Sequence, residues 1–168
     1  MKPERSPQDK RSKSRQVDIA TNRKAPRDYH LLEKYEAGVE LKGTEVKSIR
    51  AGHINLGDAF ARIERGQAFL YGCDIRPYEK ASHEQHEARR SRRLLLHKNE
   101  ILKLYAASQQ KGLTLVALRV YWKDKRVKIE IAVGKGKTQG DQRQDLKKKV
   151  ENREAQREMA RFNERGGK

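Results

Sequence analysis

Gly136-Lys137-Thr138 has the glycine, lysine and hydroxyl that close a phosphate-binding loop. In such a loop backbone N–H groups cradle a nucleotide's phosphates, the lysine reaches them and the hydroxyl holds magnesium. The pattern also needs a leading glycine, and Ile131 stands where it belongs. The residues before it alternate like an antiparallel strand, and no later acidic strand end offers a metal ligand. These residues therefore read as a flexible exit from a sheet. A basic run follows them, which turns attention from a nucleotide's phosphates to those of a nucleic acid.

Other chemistry is poorly supported. His83-Glu84-Gln85-His86-Glu87 places two histidines three apart, but catalytic zinc takes three protein ligands and the H-E-x-x-H spacing. The segment is polar on all sides and reads as a mobile charged loop. Ser12, Ser14, Ser48, Ser82, Ser91 and Ser108 sit in no strand–turn–helix elbow. Cys73 alternates with Phe69, Tyr71 and Ile75 and reads as a small core residue. Asp58, Glu64 and Asp74 form no cluster that spacing supports. No catalytic residue, metal site or cofactor is assigned.

Cations and aromatic rings are plentiful. Arg89, Arg90, Arg92 and Arg93 precede Leu94-Leu95-Leu96, as a solvated loop entering a core strand would. Tyr29, Tyr35, Tyr71, Tyr78, Tyr121 and Trp122 are available for stacking on bases, though strand aromatics usually belong to the core. Lys149, Arg153, Arg157, Arg161 and Arg165 recur every four residues. On a helix they make one slowly winding basic ridge, with Ala155, Met159 and Phe162 on another side.

The net charge is +17, from 40 Lys and Arg against 23 Asp and Glu. Residues 1–28 and 134–168 contribute +5 each, leaving +7 for the centre. Basic ends on a basic centre suit a polyanion, because each phosphate contact releases counterions. The chain has no run of about eighteen apolar residues, nor an apolar stretch near Met1, so neither a membrane span nor a secretion signal is expected. A lone cysteine fits a reducing cytoplasm.

The elements that would position these residues lie in the middle. Residues 1–16, basic and almost without apolar side chains, are expected to be a disordered arm. From Tyr29 to Leu41 the odd positions are mostly apolar and the even ones polar, a half-buried strand that points Glu36 outward. Thr44 can cap a short helix carrying Val46 and Ile49. Residues 58–64 and 67–75 form a hairpin about Arg65-Gly66, and Leu94 to Leu96 another strand. Asn99 can cap a helix whose Ile101, Leu104, Tyr105 and Ser108 share a face. Val116, Leu118, Val120 and Trp122 alternate on one strand and Val127, Ile129, Ile131 and Val133 on the next, with Lys123 to Arg126 as the turn. The expected fold is mainly β, a small closed barrel over residues 17–133 with short helices, followed by a basic tail over 134–168. That tail shows nothing strong enough to hold it against the barrel, so it should order only on a partner.

These segments together resemble a known family. "EAGVELKGTEVKSIRAGHINLGDAF", "RRLLLHKNEI", "VALRVYWKDKRVKIEIAVGKGK" and "DQRQDLKKK" are similar in order and spacing to small protein B (SmpB), the SsrA-binding protein family of bacterial trans-translation. The resemblance runs from about Asp18 into the tail.

It implies an OB-type antiparallel barrel and a tail unfolded in the free protein and helical on the ribosome. It also implies a cytoplasmic, non-catalytic adaptor, a monomer bound to one RNA. Such proteins bind the tRNA-like domain of transfer-messenger RNA (SsrA RNA). With elongation factor Tu as an indirect partner, they take it to ribosomes stalled without a stop codon. There the tail enters the empty messenger channel beyond the small-subunit decoding centre.

Carried over residue by residue, the family's RNA-binding positions match Asn22 with its neighbours Arg23 and Lys24, Glu36 of "EAG", and Leu95 with Arg92 and Arg93. Lys135 and Lys137 of "KGK" complete the set. The tail positions that would meet the ribosome are Asp141, Arg143, Lys147, Lys148, Lys149, Arg153, Arg157 and Arg161. The chain departs from the family pattern at Arg27 and Gly140, where histidines are usual, and at Gln142, where lysine is usual. Two other readings fit the composition: a ribosomal or ribosome-assembly protein with RNA-bound tails, and an RNA-processing enzyme on the same barrel.

Overall fold

The computed structural model describes residues 16–80 and 85–165. Along the chain come β1 (Gln16–Thr21), α1 (Ala25–Asp28), β2 (Tyr29–Val39), α2 (Gly43–Arg50), β3 (Ile54–Asn55) and β4 (Phe60–Glu64). β5 (Gln67–Tyr71), β6 (Asp74–Ile75), β7 (Arg92–Leu95), α3 (Lys98–Ser108), β8 (Leu113–Lys123), β9 (Arg126–Gly136) and α4 (Gln139–Arg165) follow. The mainly-β class is as the sequence implies, with α1 to α3 short and α4 a long helix of 27 residues. Seven strands form one sheet in the order β1-β8-β4-β5-β7-β2-β9, and β8 also pairs with β9. The small sheet of β3 and β6 lies beside it. The basic arm expected at 1–16 falls outside the described residues except for Gln16, which already pairs with Lys123.

Turn chemistry makes the hairpins. Arg65 and Gly66 both have positive φ, the two-residue turn whose twist suits antiparallel strands. Asp124 and Lys125 do the same between β8 and β9, with φ of 49° and 65°. That turn is narrower than Lys123–Arg126 because those two residues already face each other across the ladder.

The core gathers the apolar sides of the strands, including Leu70, Leu94, Leu104, Leu115, Ile129 and Ile131. β9 keeps the expected alternation, with Val127, Ile129, Ile131 and Val133 on the core side. β8 does not. Its register shifts between Ala117 and Arg119, so Leu115 and Ala117 face the core before the shift and Val120 and Trp122 after it. Val116 and Leu118 fall on the other face, in a small cluster with Ala25 and Ala132. One inserted residue reverses the side to which every later residue points. A second irregularity in β2, between Leu31 and Lys34, leaves Leu32 exposed.

The helix starts also differ from the sequence reading. α2 begins at Gly43 with Thr44 inside its first turn, and the Glu45 carboxylate accepts the Lys42 N–H at 2.7 Å. α3 begins at Lys98, where Glu100 accepts the His97 N–H at 2.9 Å, so Asn99 is not the cap. In both cases an acidic residue three positions on reaches back to the free donor. Leu104 is buried on α3 and Tyr105 is exposed, so they do not share a buried face. Cys73 is a core residue as expected, and burial pushes its thiol up to about 11.

Candidate nucleic-acid interface

Gly136-Lys137-Thr138 turns out to be an ordered junction between β9 and α4, not a flexible exit. The Lys137 N–H donates to Asp28 O at 2.9 Å, and its ammonium donates to Pro26 O at 2.9 Å and Asp145 Oδ2 at 2.6 Å. That side chain is only 9% exposed. The Thr138 N–H and hydroxyl both donate to Asp141 Oδ2, and the Asp141 N–H returns to Thr138 Oγ1, a reciprocal cap for the helix. Those bonds, with His30 3.7 Å away, hold the Asp141 carboxyl below its ordinary range. The donors a nucleotide phosphate would need are already engaged. Lys135, two residues earlier, points into solvent.

Glu36 lies on the outward face of β2, as the alternation requires. Its carboxylate accepts the Tyr121 hydroxyl at 2.5 Å and the Lys123 ammonium at 2.9 Å. Burial works to raise the Glu36 carboxyl, but these two donors hold it below its usual value. Burial and the adjoining carboxylate push the Tyr121 phenol upward. Arg119 lies 4.9 Å from the centre of the Tyr121 ring and bonds Glu130 at 2.7 Å and Asp18 at 3.2 Å. Lys34 pairs with Glu130 from β2. A strip of alternating charge thus crosses β1, β8, β9 and β2. Sequence reasoning names Tyr121 only as a stacking ring and Lys123 only as a turn residue, and misses Arg119 and Glu130, because their register with Glu36 depends on the β8 bulge.

On β7 the alternation separates neighbours. Leu95 is 53% exposed, and its side chain would lie 3.2 Å from any Cβ added at Gly38. Arg93 is exposed opposite Phe69. Arg92 points inward and is fully buried, which corrects its place in a solvated loop. Its guanidinium donates to Glu45 Oε1 at 2.9 Å, Cys73 O at 2.7 Å, Arg90 O at 3.0 Å and Ala88 O at 2.9 Å. Arg90 joins it on Glu45 at 2.6 Å.

The charged loop before β7 is tied down at this end as well. His86 is buried with Nε2 3.0 Å from Ile75 O and Nδ1 3.0 Å from Thr44 Oγ1. A carbonyl only accepts, so Nε2 carries a proton and donates to Ile75 O. His83 and Glu84 lie outside the described residues.

Asn22 is also an interior residue. Its amide donates to Ala117 O at 3.0 Å while its Oδ1 accepts the Lys24 and Ala25 N–H groups, which starts α1 and leaves Arg23 and Lys24 in solvent. Lys24 reaches Asp58 at 3.3 Å. Arg27 pairs with Asp28 at 2.8 Å while remaining mostly exposed.

α4 leaves this surface as a single helix. Asp145 is its last residue bonded to the rest of the described chain, and residues 146–162 are all exposed. Arg143, Lys147, Lys148, Lys149, Arg153, Arg157 and Arg161 all face solvent. So do Leu146, Val150, Met159 and Phe162. The side chain of Arg165, the ridge's last member, lies outside the described residues. Among the described residues no helix is long and apolar enough to cross a membrane.

The family model for SmpB protein matches residues 19–161. The SsrA-binding protein of Carboxydothermus hydrogenoformans is 52% identical over 141 residues, which are 84% of this chain and 95% of that one. The SsrA-binding protein of Aquifex aeolicus is 49% identical over 144 residues, 85% of this chain and 92% of its own. A solved chain described as "tmRNA-SmpB: a journey to the center of the bacterial ribosome" is 46% identical. It superposes with a TM-score of 0.61 over 71% of this chain and 85% of that one.

Proposed function

The chain belongs to the SmpB family, and from that premise we propose that it is an RNA-binding adaptor of trans-translation and not an enzyme. Its sheet, with residues 17–133 as the RNA-binding domain, holds the tRNA-like domain of transfer-messenger RNA. The tail from residue 134 carries the complex into the empty messenger channel of a stalled ribosome, in the cytoplasm. The return of the ladder β8-β4-β5-β7-β2-β9 to β8 supports reading the sheet as an OB-type barrel.

One observation carries the two-surface reading. α4 bears a ridge of exposed cations, yet among the described residues it is tied to the rest of the chain only near its start, by Asp141 to His30 at 3.7 Å and by Asp145 to Lys137 at 2.6 Å. A helix so lightly held supports a tail that is unfolded in the free protein and orders on ribosomal phosphates. On this reading Arg23, Lys24, Glu36, Arg93, Leu95 and Lys135, all exposed, touch RNA on the sheet side. Asn22, Arg92 and Lys137 act by positioning them.

Sequencing the RNA that co-purifies from native cells tests the proposal. One discrete small RNA with a tRNA-like domain is expected. Stoichiometric presence on every ribosome would favour a ribosomal protein instead.

A further inference from the structure

Val116, on the side of β8 opposite the core residues Leu115 and Ala117, lines a surface cavity of about 460 Å³ between α1, the start of β4 and the start of β8. Buried Ala25, Ala59 and Val116 supply the apolar part of the lining. Phe60 and Tyr29 add aromatic rings, with Phe60 stacked on Tyr71 at 5.6 Å and Arg62 5.9 Å from its centre. Lys24 and Arg27 bring charge to the same cavity, paired there with the carboxylates of Asp58 at 3.3 Å and Asp28 at 2.8 Å, exposed pairs that RNA can exchange. The Asp58 side chain is 82% exposed.

Such a lining has a chemical match. Apolar and aromatic side chains accept the flat faces of a base, and cations beside them accept its phosphate. A carboxylate only accepts hydrogen bonds, so it cannot be there for phosphate. Guanine alone presents two adjacent donors, N1–H and N2–H, on its Watson–Crick edge, matching the two oxygens of a carboxylate.

We infer that this cavity binds a single unstacked guanine of the partner RNA, with Asp58 reading its Watson–Crick edge, Phe60 stacking on it and Lys24 and Arg27 on its phosphate. The inference deepens the RNA-binding reading above and rests on it. It makes Asp58 a specificity-determining residue and Phe60 a non-specific stacking residue.

The test uses the full chain and short single-stranded uridine oligonucleotides in which one central base is guanine, adenine, cytosine or uracil, with affinity read by fluorescence anisotropy. The guanine strand should bind roughly tenfold tighter than the other three, within the discrimination of one bidentate pair. Asp58→Asn should abolish that preference and leave the other three affinities near their original values. Phe60→Ala should weaken all four roughly tenfold, the loss of one stacking partner, and keep the guanine preference. Equal affinity for all four strands overturns the inference. So does an Asp58→Asn protein that gains equally on all four, because that is a bare charge effect. Asp58 is exposed, so this variant keeps the test sharp even if Phe60→Ala destabilises the fold. The tRNA-like domain of transfer-messenger RNA serves as a parallel probe. Tight binding to it without guanine preference removes the cavity's role alone, whereas failure to bind it removes the adaptor reading as well.

Discussion

Arg92 and Glu45 meet as an ion pair sealed from solvent, Nε to Oε1 at 2.9 Å with both side chains 0% exposed. Next along the chain, Arg93 lies in solvent. Two adjacent arginines should therefore fail differently. Arg92→Ala takes one of two arginines from the buried Glu45 carboxylate and a donor from the carbonyls of Cys73, Ala88 and Arg90. With Arg90 still on Glu45, it should cost about 3 kcal/mol, the lower end for breaking one side of a buried pair. Arg93→Ala should leave the urea midpoint unchanged and weaken RNA binding instead. Denaturant titration and RNA affinity on both variants separate the roles.

The same pair predicts an acid limb of stability. Burial works to raise the Glu45 carboxyl, but the hydrogen bonds from Arg90 and the Lys42 N–H, with the charge of both arginines, hold it below its ordinary value. A carboxyl depressed on folding contributes stability that is present in full above the unfolded value of about 4.3. That contribution is lost as pH falls through the folded value. Glu45→Gln should lower stability at neutral pH and flatten the slope below about pH 4.3. An unchanged slope would show that other carboxylates carry the acid transition.

Much of this architecture is legible in the sequence, and the exceptions have physical causes. β9 and the β4–β5 hairpin follow from alternation and turn residues, and Glu36 points outward as its neighbours require. The β8 bulge is hidden because Leu115 to Leu118 is apolar at every position, so no alternation exists to show the slip. Arg92 and His86 look like loop residues because polarity in sequence does not reveal that Glu45, Thr44 and Ile75 O await them. The register bringing Tyr121 and Lys123 to Glu36 spans more than eighty residues, and no local pattern encodes it.

Glu36→Ala should weaken binding of the tRNA-like domain roughly tenfold, comparable to one hydrogen bond with a charged group. The fold should survive, because the Glu36 side chain is 35% exposed. Without the carboxylate, Lys123 loses its anchor and Tyr121 its acceptor, so the strip is no longer preorganised for RNA. Unchanged affinity would remove Glu36 from the interface.

Lys135 and Lys137 should also part company. Binding should fall with salt by about 0.7–0.9 in log K per phosphate contact for each unit in log salt. Lys135→Ala should reduce that slope by about one contact. Lys137→Met should leave the slope near its original value and speed amide hydrogen exchange in the first turns of α4, since it removes the link to Asp145 and Pro26 O. Equal slope changes would mean that both lysines touch phosphate.

A chain ending at Gly140 should still fold and bind the tRNA-like domain, yet fail to support tagging on stalled ribosomes. β9 is complete at Gly136, and among the described residues no α4 side chain belongs to the core. Residues 146–162 are exposed, so the helix buries little and gains stability only when Arg153, Arg157 and Arg161 meet phosphates. Replacing those three arginines with glutamate reverses the ridge without shortening the chain and should abolish tagging while sparing free RNA binding. Met159→Pro tests the helix itself, because an interior proline costs about 3 kcal/mol and the charges remain. Normal tagging by both variants would sink the helical-tail mechanism. Loss of free RNA binding on truncation would instead make sheet and tail one site, with the Lys137–Asp145 contact at its centre.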